Sequence, residues 1–202
     1  METSRMKRAA LGVSMHSGWG VLVAVSGDAS SLEVLERRRI VTADPAIAGA
    51  KQPYHFAEGL GLLEAERYLA DCTGASERLA FDALKEVVGN LEARRCPIAC
   101  CAVLLASGRA LPPLPKILAS HALIHTAEGE FFRDAVKNVC QRLEIPVTAL
   151  KERDLDVRAR TAFGNEASRV QRRISSLGSS IGPPWTKDHK AAALAAAIIL
   201  AT

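Results

Sequence analysis

Apolar residues fill 10–14 and 19–26, two runs of strand length joined by a short His16-Ser17-Gly18 turn, and this pattern predicts a hairpin at the centre of a sheet. A third run, 32–41, alternates apolar and polar positions and carries Arg37, Arg38 and Arg39, as a strand with one wetter face does. Residues 42–56 contain Pro45, Pro53 and many small side chains, which reads as a long loop. From 62 to 95 the period becomes helical, with an irregularity at Cys72-Thr73-Gly74 and Ser76 as the cap of a second segment.

The unbroken apolar run 98–106 suits a strand buried on both faces, and it stops at Ser107-Gly108-Arg109 before a proline-rich stretch, 111–115. A long helix over 116–143 leads through Ile145-Pro146 to a short strand, 147–150; a strand-helix-strand crossover of this kind requires parallel pairing. Two shorter helices, 155–162 and 166–177, precede a loop at 178–184. A last helix starts at Lys187, with Thr186 as its N-cap and Asp188 in its first turn. The implied fold class is α/β: a mixed central sheet, three antiparallel strands followed by crossovers, flanked by helices. At 202 residues a single domain over 1–202 is the expectation.

Composition narrows the classes. Hydrophobic residues at 49% and charged residues at 24% are ordinary for a folded domain, and no low-complexity block argues for disorder. The apolar stretch 9–25 has the length of a signal sequence, but Ser14, His16, Ser17, Gly18 and Gly20 interrupt it and favour two strands. The apolar end, 191–201, is about half the ~20 residues needed to span a bilayer. These features lead to the expectation of a cytoplasmic protein with no membrane partner. Five cysteines (Cys72, Cys96, Cys100, Cys101 and Cys140) without a C-x-x-C pair suggest reduced, buried thiols, with Cys100 and Cys101 on opposite sheet faces. The net charge of +4 lies entirely in the last quarter, where nine basic residues face five acidic ones between Lys151 and Lys190.

The element order, with Gly12-Val13-Ser14-Met15-His16-Ser17-Gly18-Trp19-Gly20 at the first turn and Asp188-His189-Lys190-Ala191-Ala192-Ala193-Leu194-Ala195-Ala196 in the last helix, resembles the ribonuclease-H-like superfamily. Within it the resemblance is to Holliday-junction resolvases of the RuvC type. The resemblance implies a nucleic-acid partner and, in members that cut, two divalent ions held by clustered carboxylates. This chain departs from that pattern: the first-strand acid falls at Ser14, the fourth-strand acid falls near residues 105–107, and neither place holds a carboxylate. Asp188 alone stands near a family position, which is too few hard oxygen ligands for the usual magnesium pair. The implied site is degenerate or replaced.

Other residues carry candidate chemistry. His121, His125 and Glu128 follow i, i+4, i+7 spacing on one helix face and could converge on a polar substrate or a divalent metal, zinc or manganese before magnesium. With Asp188 they are the candidate catalytic residues. Ser107 and Arg109, at the end of a buried strand, form a turn suited to an anion. His16 and Ser17, beside Ser14, should approach the last helix near Trp185, Asp188 and Lys190, making these residues candidate ligand contacts. Arg169, Arg172 and Arg173 share a helical stretch and could contact phosphates. Two readings stay open. One is a nucleic-acid-associated protein on a resolvase-like scaffold without its usual nuclease site. The other is an enzyme for a small anionic or polar substrate in a His/Arg-lined pocket. A protein-interaction module, homodimeric through the long helices, is a third.

Overall fold

Residues Ala9–His16 (β1) and Trp19–Ser26 (β2) form the expected hairpin, in register from Ala9 opposite Ser26 to His16 opposite Trp19. The connection is tighter than the sequence suggested. His16 still belongs to β1, and Ser17-Gly18 alone makes the turn, with Gly18 at φ 78°, where a side chain would be strained. The computed structural model describes residues 7–106 and 110–202. Within them Glu33–Val41 (β3) pairs antiparallel with β2, while Ile98–Leu105 (β4) runs parallel to β1 and Val147–Lys151 (β5) parallel to β4. The sheet order is β3-β2-β1-β4-β5, which puts β1 in the centre.

Alternation along the strands divides the core in two. Leu11, Val13, Leu22, Cys101 and Val103 face Leu62–Ala93 (α2) and His121–Arg142 (α4) through Leu84, Val87, Phe132 and Val136. On the other face Ala10, Val21, Val23, Ala102 and Leu104 meet Leu155–Phe163 (α5), Ala167–Ile181 (α6) and Lys187–Ala201 (α7). The alanines of α7 let it lie directly on β1. A methyl group placed on Gly12 would run into the carbonyl of Ala192. The apolar stretch 191–201 is therefore a core helix, and no described helix is long and apolar enough to cross a membrane.

Several boundaries differ from the pattern-based expectation. The helix over 62–93 is unbroken: Cys72 and Ser76 are buried on its inner face, so packing holds them helical, and Thr73 donates back to the Leu69 carbonyl at 2.8 Å. Ser76 is consequently no cap. The expected loop 42–56 ends in a short helix, Pro53–Ala57 (α1), for which Pro53 supplies a favourable first residue. The expected helix 116–143 is two helices, Leu114–Leu118 (α3) and α4, separated where Ser120 turns extended. Leu114 and Leu118 of α3 pack on a small cluster with Ala57 and Leu69. Finally α6 runs on to Ile181 because Gly178 leaves room for the Trp185 ring, which lies 2.8 Å from where its Cβ would stand.

Candidate functional site

The carboxyl ends of β1 and β4, where open α/β sheets place ligands, carry candidate chemistry on both faces. On the α7 face, Ser14 and His16 project from β1 beside Gly12. Ser14 is buried, and the His16 Nε2 lies 3.2 Å from an Asp188 carboxylate oxygen in the first turn of α7. This is the approach of the hairpin to the last helix that the sequence suggested. His16 also stacks on Trp19 at 4.4 Å between ring centroids, and the Arg39 guanidinium sits 4.0 Å from the Trp19 ring centre. Trp19, Val21, Arg37, Arg39, Thr186, Asp188 and His189 line a cavity of about 340 Å³ here.

The wall of that cavity is built by Arg37. Its two terminal nitrogens donate to four successive carbonyls, those of Gly182 (2.7 Å) and Pro184 (2.6 Å) from one and of Ile181 (2.8 Å) and Pro183 (3.1 Å) from the other. The loop so gripped delivers Thr186 to the start of α7, where its backbone N–H donates to the His189 Nδ1 at 3.2 Å. Burial, with Arg37 nearby, holds the His189 imidazole below its ordinary pKa, and Asp188 opposes this. His189 thus caps the helix as a neutral acceptor.

The remaining residues predicted for this face take different places. Trp185 stays on it, its ring 5.7 Å from that of His189, and donates its indole N–H to the Ile174 carbonyl at 2.7 Å. Lys190 lines a different, larger cavity of about 710 Å³ with Lys187, Arg153, Asp156 and Gln171. Arg169 pairs with Glu166 at 2.7 Å, whereas Arg173 ties the β2–β3 connection through the carbonyls of Leu32 (2.8 Å) and Ser30 (3.0 Å). Arg172 is exposed and has no ion pair among the described residues. Ser17 lies exposed at the hairpin tip. Ser107 and Arg109 lie outside the described residues.

On the α2/α4 face, His121 and His125 start α4 with their Nε2 atoms 3.0 Å apart. A third imidazole, that of His55 on α1, meets both, and one ring nitrogen from each of the three falls within 4.8 Å of the others. Glu128 does not join them at the surface, as its i+7 position suggested. It is buried, and its Oε1 accepts from the Tyr54 N–H (2.9 Å), the His55 N–H (3.0 Å) and the His55 Nδ1 (3.1 Å). Its Oε2 has no hydrogen-bond partner among the described residues. Burial pushes the Glu128 carboxyl up, and the His55 and Tyr54 hydrogen bonds pull against it. His55, Trp19, Arg37 and Arg39 were not legible as site residues from the pattern of the chain. His55 sits in a five-residue helix with no periodic signal, and its partners come from a distant helix.

No family model matches this chain, and no curated protein matches it in sequence. Among solved structures it is similar to Thermus thermophilus RuvC in complex with a Holliday junction substrate, at 14% identity over 95% of this chain and 91% of that one, TM-score 0.51. A second Thermus thermophilus RuvC structure aligns at 13% identity over 94% and 92%, TM-score 0.48. An Aquifex aeolicus member of the Ppx/GppA family aligns at 10% over 79% and 41%, TM-score 0.37. The first of these shows the fold alone: the chain has a ribonuclease-H-like fold, a distant structural resemblance to RuvC.

Proposed function

We propose that this chain is a nucleic-acid-associated protein that keeps a resolvase-like scaffold without the carboxylate cluster of two-metal cleavage. The observation that carries the reading is the partner of Asp188. Two-metal cleavage needs several carboxylates sharing hard cations at this end of the sheet. Here Ser14 occupies β1, β4 ends in Leu104 and Leu105, and Asp188 pairs with His16. Next to that pair stands Trp19, its ring held between the stacked His16 imidazole and the Arg39 guanidinium, so what this side of the sheet offers a nucleic acid is the exposed Arg39 cation for a phosphate and not an open aromatic face for a base. The RuvC structure that this fold resembles holds a Holliday junction substrate, which makes branched DNA the first ligand to try.

The test is titration of labelled four-way junction, duplex and single-stranded DNA and RNA at low and moderate salt, with and without manganese, reading binding and cleavage together. With about three phosphates neutralised, by Arg39, Arg172 and one more cation, the slope of log K against log salt is about −2.7, or roughly 40-fold weaker binding for fourfold more salt. Arg39→Ala should weaken binding about equally for all sequences and reduce that slope by roughly 1. No binding at low salt overturns the function. Cleavage abolished by Asp188→Asn overturns the loss of the metal chemistry.

A further inference from the structure

The His55, His121 and His125 cluster has no part in the groove just described, since it lies on the opposite face of the sheet. Three imidazoles brought edge to face at centroid separations of 4.5–5.4 Å turn ring nitrogens towards one another, while Glu128 meets the Nδ1 of His55 from behind. Tetrahedral coordination at about 2.0–2.1 Å places ligand nitrogens about 3.3 Å apart. The observed 3.0 Å between His121 and His125, and the 4.8 Å bound on all three, are within a small side-chain adjustment of that spacing.

The second, independent observation is Glu128. A buried carboxylate that receives the Nδ1–H of one histidine fixes its tautomer and aims the Nε2 lone pair outward, the role such outer carboxylates have behind metal-bound imidazoles. The same Oε1 takes the backbone N–H groups of Tyr54 and His55, so the carboxylate also fixes the backbone that carries the histidine. A solvated patch of histidines needs no such support. The buried, unpartnered Oε2 shows how much polar burial the arrangement tolerates.

We propose that His55, His121 and His125 bind a single transition-metal ion, with Glu128 as the positioning carboxylate behind His55. Three nitrogen donors without a carboxylate in the first sphere suit zinc, cobalt, nickel or copper and not magnesium or calcium. His121 and His125 are exposed, so the fourth position faces solvent and takes water. The ion would clasp α1, which follows β3, to the first turns of α4.

The experiment uses full-length protein without an affinity tag, stripped with a chelator and titrated with zinc by calorimetry and with cobalt by its visible ligand-field absorption. The expected result is one equivalent bound with a tetrahedral cobalt spectrum, and a melting temperature raised by roughly 5–10 °C at zinc a hundredfold above its Kd. His121→Ala and His125→Ala, both at exposed positions, should lower the affinity at least tenfold while leaving the circular dichroism unchanged. Glu128→Gln should weaken binding by about 10–100-fold. An absence of stoichiometric binding, or binding that both histidine variants leave unchanged, overturns the proposal. Nucleic-acid affinity is measured on the same variants. It should not change, so failure of the metal site and failure of the nucleic-acid reading are separately visible.

Discussion

Replacing Arg37 tests whether one guanidinium holds the start of α7 in place. Its four carbonyl acceptors at 2.6–3.1 Å belong to consecutive residues, Ile181 to Pro184, so the side chain substitutes for the secondary structure this loop lacks. A hydrogen bond to a charged group contributes about 1.5–3 kcal/mol. Four of them on one partly exposed cation do not add, because water recovers much of what each carbonyl loses. A net cost of about 3 kcal/mol for Arg37→Ala is the resulting expectation. For a chain of this length ~1 kcal/mol moves the melting temperature by about 2–4 °C, so the loss should be roughly 6–12 °C. Arg37→Lys is the sharper variant: it keeps the charge, but an ammonium is a compact point donor that cannot span four carbonyls in a plane, and it should recover no more than about half. Thermal melts read the stability, and amide exchange in the first turn of α7 reads the location. A lysine variant within about 1 °C of the parent, with protection in α7 unchanged, would refute the argument.

Other perturbations follow from the same packing. Gly12→Ala drives a methyl into the Ala192 carbonyl, backbone against backbone, and should cost about 3 kcal/mol or more, read as a lower urea midpoint or loss of soluble protein. The lowered pKa of His189 makes stability pH-dependent with a definite sign. The neutral form is favoured in the folded state, so this contribution is complete above the unfolded value of about 6.5 and is lost as pH falls through that value towards the lower folded one. Urea midpoints at about pH 7.5 and 5.5 should differ in that direction, and His189→Asn should flatten the difference. Of the five free thiols only Cys100 is partly exposed, and burial raises its pKa. A thiol reagent should therefore label native protein slowly and at most once, and all five positions after unfolding.

The strands were legible because two-sided burial leaves a strong mark: residues 21–25 and 98–105 are apolar throughout, in runs of strand length. The crossover from β4 through a helix to β5 followed from length alone. Breaks inside helices were not legible. Cys72-Thr73-Gly74 resembles a stop, yet the buried face of α2 overrides it, while Ser120, which ends α3 and opens α4, resembles nothing in particular. The site shows the same contrast. The approach of His16 to Asp188 follows from topology, since a hairpin beside the last helix must bring its tip there. The meeting of His55 with His121 and His125 depends on where an irregular loop returns, and no periodic pattern encodes that. Arg37 looked like one of three strand arginines. Only the structure separates it from Arg38, which pairs with Glu36 and Glu86, and from Arg39, which covers Trp19.

The absence of acids at 14 and 105 bears on stability as well as on chemistry. Position 14 is buried on the face of β1 that carries α7, and a carboxylate there without a cation would be desolvated. With Ser14 in its place, the alanine-rich helix can close on Gly12 with no charge beneath it, and Asp188 is free to pair with His16. A serine at this position is buried without needing a cation beside it. If a metal binds this protein, the residues able to hold it lie across the sheet, on α1 and α4, where a carboxylate is already buried behind an imidazole. On the function and the metal site proposed above, the two faces have separate tasks: one offers arginines to a polyanion, and the other offers nitrogen donors to a cation.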